Sequence, residues 1–176
     1  SASEVLATVN AGSLAQPGPV LRDGGLSFYG LKSAAGPAEY LRDFFSQRRP
    51  GDYIALQAYL TEDGGTETAL QGMRTKLRDS LGLATTLGYG PRYLHSTGQY
   101  HKGGPDNGLF IQIVAEDRQD VPIPGRRYGF GTFRQAQALG DFQALQKRGR
   151  RIVKINLGPD SARGLVQLDQ TIDRAL

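Results

Sequence analysis

The stretch Tyr53-Ile54-Ala55-Leu56-Gln57-Ala58-Tyr59-Leu60 is nearly continuous in apolar character. A half-solvated strand alternates apolar and polar residues, whereas a strand covered on both faces does not, so this run predicts the central strand of a sheet buried between two layers of helix. Outward from it, strand-like and helix-like segments alternate. Leu26-Ser27-Phe28-Tyr29 reads as a short strand, and Pro37 opens a helix with Leu41, Phe44 and Phe45 at helical spacing, which stops near Pro50-Gly51. A second helix runs from about Thr66 with Ala69, Leu70, Met73, Leu77 and Leu81 on one face and Gly82 as its C-terminal cap. Ala84-Thr85-Thr86-Leu87 is a short strand that leads into a glycine-rich loop, and Leu109-Phe110-Ile111-Gln112-Ile113-Val114 is another strand. The two prolines of Val121-Pro122-Ile123-Pro124-Gly125 mark a connection. Thr132 caps a helix to about Arg148, with Phe133, Ala136, Leu139, Phe142 and Leu145 inward and Gly149 past its end. Ile152 to Leu157 is the last strand, and Asp160 or Ser161 starts a closing helix with Leu165, Leu168 and Ile172 buried. This alternation predicts an α/β fold, a three-layer α-β-α sandwich of flavodoxin-like type around a mainly parallel sheet.

Residues 1 to 25 are rich in Gly, Ala, Ser and Pro and read as a linker or lead-in with a short helix, leaving 26 to 176 as one domain. A chain of 176 residues suffices for one core. The absence of cysteine removes disulfides, thiolate nucleophiles and thiolate metal sites. The first twelve residues show neither a basic leader nor an apolar span, so a cytoplasmic location and no membrane partner are expected. The net charge of +4 is scattered apart from Lys147 to Arg151, where no aromatic residues are interleaved, so no nucleic-acid partner is expected.

In an open parallel sheet the ligand crevice lies beyond the carboxyl ends of the strands. The segment after Leu87 therefore stands out: it runs Gly88-Tyr89-Gly90-Pro91-Arg92-Tyr93-Leu94-His95-Ser96-Thr97-Gly98-Gln99-Tyr100-His101-Lys102-Gly103-Gly104-Pro105. It holds both histidines, and glycine gives a ligand close access to the backbone while imidazole offers proton transfer near neutrality. No carboxylate completes a metal-ligand set there, so no metal is expected. Ser96 beside His95 lacks the flanking glycines of a nucleophile elbow, and no Gly-x-Gly-x-x-Gly or Walker-type motif suggests a nucleotide. A second cluster lies in Arg134-Gln135-Ala136-Gln137-Ala138-Leu139-Gly140-Asp141. Gln135 and Gln137 cannot share a helical face, so at most one of them points into a site.

Residues 83 to 105, and after them Ala136 to Leu145, closely resemble the isomerase portion of bifunctional transaldolase/glucose-6-phosphate isomerases; the core Leu94-His95-Ser96-Thr97-Gly98-Gln99-Tyr100 is also similar to short bacterial glucose-6-phosphate isomerases. The likeness spans roughly residues 26 to 176. It implies the C-terminal sugar-isomerase (SIS) domain of an enzyme that interconverts glucose 6-phosphate and fructose 6-phosphate through an enediol, without a cofactor. Gln99 and Gln137 match substrate-binding glutamines, and Ser96, Thr97 and Arg134 join them as substrate-binding candidates. The family's catalytic Glu, four residues after the first Gln, is Gly103 here, and no Lys stands at the position expected after Gln137. His95, His101 and Lys102 are then the catalytic candidates. In this family the phosphate is held mainly by a first SIS domain, and neither that domain nor a transaldolase barrel is recognisable in these residues. The expected partners are thus a sugar phosphate, the N-terminal SIS and transaldolase domains, and a second copy of the chain in a homodimer. The isolated chain is expected to have low or no activity, and the alternative is a non-catalytic sugar-phosphate-binding or dimerisation module.

Overall fold

A computed structural model describes Leu6 and residues 17–32, 34–117 and 119–176. The lead-in expected over 1–25 therefore falls largely outside the described residues. Six strands form one sheet in the order β1-β2-β6-β5-β3-β4: β1 (Leu21–Asp23), β2 (Leu26–Tyr29), β3 (Tyr53–Tyr59), β4 (Ala84–Tyr89), β5 (Gly108–Val114) and β6 (Arg151–Asn156). The last four run parallel, whereas β2 pairs antiparallel with both β1 and β6. The helices are α1 (Pro37–Ser46), α2 (Gly64–Leu81), α3 (Thr97–Gly103), α4 (Phe130–Lys147) and α5 (Ser161–Ala175). The mainly parallel α/β sandwich expected from the sequence is the fold of the protein.

Local chemistry sets the helix ends. The Asp63 carboxylate accepts the Thr66 amide at 2.8 Å to start α2, and Gly82, at φ +65°, ends it in the left-handed conformation that glycine adopts without a Cβ clash. Asp160 caps α5 by accepting from the Arg163 amide at 3.1 Å.

Three expectations need correction. The glycine-rich segment is not all loop: Arg92–His95 forms a 3₁₀ turn and Thr97–Gly103 forms α3. Thr132 does not cap α4, which begins at Phe130 after Gly129. Asp120 reaches back from the preceding connection to accept from the Gly131 and Thr132 amides at 2.7 and 3.2 Å and from the Thr132 hydroxyl at 2.6 Å. Finally, Leu21–Asp23 is a strand that makes a hairpin with β2 through Gly24 and Gly25, both at positive φ, so the sheet begins ahead of Leu26.

The two faces of the sheet differ. On one, Ile54, Leu56, Ala58, Leu109, Ile111, Ile113, Val153 and Ile155 pack with α1, α2 and α5 into the main apolar core. On the other, under α3 and α4, Gln57 pairs with Gln112, Gln112 with Lys154, and Lys154 with Tyr29 in register across neighbouring strands. A row of buried polar side chains thus crosses the face that carries the candidate segments.

Candidate functional site

The strand order places the topological switch point between β3 and β5: the chain leaves β3 outward to β4 and leaves β5 outward to β6. A crevice of about 240 Å³ opens there, lined by Thr61 after β3, Glu116 and Asp117 after β5, Asp160 and Ser161 at the start of α5, and Arg134 from α4. Arg134 is tied to Asp117, with Nη2 2.5 Å from Oδ1.

The loop after β4 sits on the same rim. Arg92 pairs with Glu62, which follows β3. Tyr93 packs with Tyr59, Leu94, Val114 and Ala138, so the 3₁₀ turn and the first half of α4 meet over the ends of β3 and β5. The Tyr93 hydroxyl donates to Asp141 Oδ2 at 2.7 Å, and Lys102 Nζ lies 2.6 Å from Asp141 Oδ1. One carboxylate of α4 therefore fastens both ends of the histidine-bearing segment.

The candidate residues separate into surface and buried groups. His95, Ser96, Thr97 and Gln99 are exposed, and the Gln99 amide donates to the Leu94 carbonyl at 3.0 Å. His101, in contrast, is 4% exposed, with its ring 4.9 Å from that of Phe110 and 5.9 Å from that of Tyr53. Gln57 Nε2 lies 3.1 Å from His101 Nδ1, so the amide donating there puts the ring proton on Nε2. Burial pushes the imidazole down to about 4, with the Asp141 charge acting against it, and the ring is neutral at physiological pH. Thr97 and His101 line a small cavity of about 110 Å³ with Gln57, Thr86 and Gly88. Lys102 is half-buried against Asp141, while Arg134 and Gln137 are half-buried on α4. Thus Lys102 is joined to α4, His95 stands apart from His101, and Arg134 belongs to the switch-point crevice.

Tyr93, Gln57, Gln112 and Asp117 were not among the sequence-derived candidates, and Asp141 stood in the second cluster without a role of its own. Gln57 and Gln112 carried a readable signal, since each interrupts an otherwise apolar strand at the position that faces α3 and α4. Among the described residues, no group of three or more His, Asp or Glu side chains is placed to hold a metal ion. None of the described helices is long and apolar enough to cross a membrane.

No protein-family model and no curated protein matches this chain. Among solved structures it is similar to the crystal structure of a hypothetical protein from Thermus thermophilus, with a TM-score of 0.64 and 18% sequence identity over 78% of this chain. The match covers 37% of that protein's length, so the chain corresponds to well under half of it. At that identity the likeness shows the shared α/β fold.

Proposed function

We propose that this chain is the C-terminal, SIS-type part of a glucose-6-phosphate isomerase and supplies one side of a site for the open-chain sugar phosphate. The observation that carries the reading is the meeting of the two isomerase-like segments, residues 83–105 and 136–145, through Tyr93, Lys102 and Asp141. Segments 48 and 39 residues apart in sequence at those contacts have no local reason to be joined by a buried carboxylate.

The reaction moves a proton between C1 and C2 of the sugar, and the groups for it divide by exposure. His95, exposed in the loop after β4, exchanges a proton with bound substrate in this reading. His101, buried and neutral, is a hydrogen-bonding support for the floor of the site, and Lys102 brings a positive charge suited to a developing enediolate. Ser96, Thr97, Gln99, Gln137 and Arg134 serve the sugar hydroxyls and the phosphate. Phosphate contacts from another domain complete the transition-state binding, so the chain alone turns over little substrate.

The second reading, a sugar-phosphate-binding or dimer-forming module without its own chemistry, is favoured by Gly103 at the position where the family has its Glu and by the burial of His101. Fructose 6-phosphate turnover by the full-length protein that carries this chain separates them. His95→Ala, Gln99→Ala and Lys102→Ala each lower kcat/KM by about 100-fold if the segment does chemistry. Near wild-type rates in all three rule that out, and an unchanged NMR spectrum of the chain on titration with fructose 6-phosphate removes the binding reading as well.

A further inference from the structure

The face under α3 and α4 also holds a buried lysine, which the isomerase reading leaves unused. Lys154 lies in the middle of β6 and is 4% exposed. Its Nζ stands 4.1 Å from the centroid of the Tyr29 ring and 5.3 Å from that of Phe142. It lines a cavity of about 240 Å³ whose walls include Val20, Tyr29, Leu31, Leu139 and Phe142. Strands β5 and β3 separate this cavity from the β4 loop that carries His95.

A concave, mainly apolar cavity with a few polar groups is the ordinary form of a small-molecule site. Here one of those groups is a buried amine, and its surroundings select what it can do. Desolvation pushes the Lys154 pKa down to about 8, so about a tenth of the molecules carry the deprotonated amine at pH 7. A desolvated neutral lysine is a nucleophile toward carbonyl carbon. Among the described residues lining the cavity there is no arginine and no second lysine, so a phosphorylated sugar is poorly matched to it, while aromatic and branched aliphatic walls match an apolar ligand. Among the described residues lining the cavity, Tyr29 is the other titratable group, and burial raises its pKa.

We propose that this cavity binds a small apolar aldehyde, aromatic or branched aliphatic, which Lys154 captures as an imine. The amine lone pair forms the C–N bond as the carbonyl π pair moves to oxygen, and a proton passes from nitrogen to that oxygen to give a carbinolamine. A proton from solvent lets that hydroxyl leave as water while the nitrogen lone pair forms the C=N bond, and the iminium returns the proton to solvent to give the imine. Amine and aldehyde thus give imine and one water, with no change of oxidation state.

The test treats the folded chain at neutral pH with limiting benzaldehyde and cyanoborohydride, which fixes any imine as a benzylamine, and maps the modified lysines by peptide mass spectrometry. Lys154 is expected to be modified about tenfold faster than Lys32, Lys76, Lys102 or Lys147, and benzyl alcohol, which has the ring without the carbonyl, is expected to slow that reaction. Lys154→Met removes the fast reaction and leaves the other four unchanged. Modification of Lys154 no faster than the surface lysines overturns the proposal. Fast modification that benzyl alcohol does not slow also overturns it, because it would mark a reactive amine without a binding cavity. The isomerase assay does not enter this experiment, so either reading can fail without the other.

Discussion

Lys102 Nζ lies 2.6 Å from Asp141 Oδ1, and the Asp141 side chain retains 1% of its surface. A carboxylate this deep needs its partners, because an uncompensated buried charge is strongly destabilising. Lys102→Met leaves Asp141 with the Tyr93 hydroxyl and is expected to lower unfolding stability by about 2 to 3 kcal/mol, somewhat less than for a fully enclosed pair because the Lys102 side chain is 20% exposed. Asp141→Asn keeps an acceptor for Tyr93, so the double variant should lose at least about 1 kcal/mol less than the sum of the singles. Urea denaturation of the four proteins measures this, and additive losses would show that the contact is energetically idle.

The buried neutral His101 ties stability to pH. Its pKa is lowered from 6.5 to about 4 in the folded chain. Between those values the unfolded chain binds a proton that the folded chain does not, so stability falls as pH drops through this window and levels off below about 4. The loss integrates to about 3 kcal/mol. Denaturation at a series of pH values should show this slope in the wild type and its absence in His101→Gln. The His101 ring resonances should also stay unshifted above about pH 5 in NMR titration.

The parts of the fold that rest on local chemistry were legible in the sequence, and the parts that rest on distant partners were not. Tyr53 to Tyr59 announced the central strand because both of its faces are covered, and Gly82 and Asp160 marked helix ends by chemistry that acts within a turn. Helix α3 has seven residues, two of them glycines, too few to display a period, and it is held by the packing of His101 on Gln57, Phe110 and Tyr53. The cap of α4 comes from Asp120, eleven residues before the amide of Gly131 that it accepts from, which no local motif encodes. For the candidate site, the sequence singled out the histidine-bearing segment but treated its two histidines alike. The helix that begins at Thr97 turns His101 onto the sheet and leaves His95 outside.

Acid sensitivity should have a second source at the amino end of the strands. Asp52 is 5% exposed and takes two bonds from Arg151, at 2.5 and 2.9 Å, with the Arg49 amide at 2.5 Å. Burial pushes its carboxyl up, but the bonds from Arg151 and Arg49 outweigh that and hold it below the usual carboxylate range. A depressed carboxylate stabilises the fold above its unfolded pKa, and the contribution is lost as pH falls through the folded value. Asp52→Asn should therefore be less stable at neutral pH, and its deficit should shrink as the pH falls below about 4. Circular dichroism during acid titration measures the two curves, and a deficit that stays constant to about pH 2 would contradict the assignment.

Gly30 offers a backbone test of the β2–β6 pairing that shapes the Lys154 cavity. Its φ is +116°, and a Cβ there would stand 2.5 Å from the Ile152 carbonyl oxygen, a main-chain atom of the neighbouring strand that cannot swing aside. Gly30→Ala thus adds torsional strain to a steric clash, and a loss of about 2 to 4 kcal/mol is expected. Gly72, exposed within α2 with open space around it, supplies the contrast: Gly72→Ala should raise stability by about 0.5 to 1 kcal/mol through helix propensity alone. Thermal and urea unfolding of both variants check the pair of signs. Since Gly30 also borders the cavity, a folded Gly30→Ala protein should react with benzaldehyde at Lys154 more slowly than the wild type, whereas Gly72→Ala should match it.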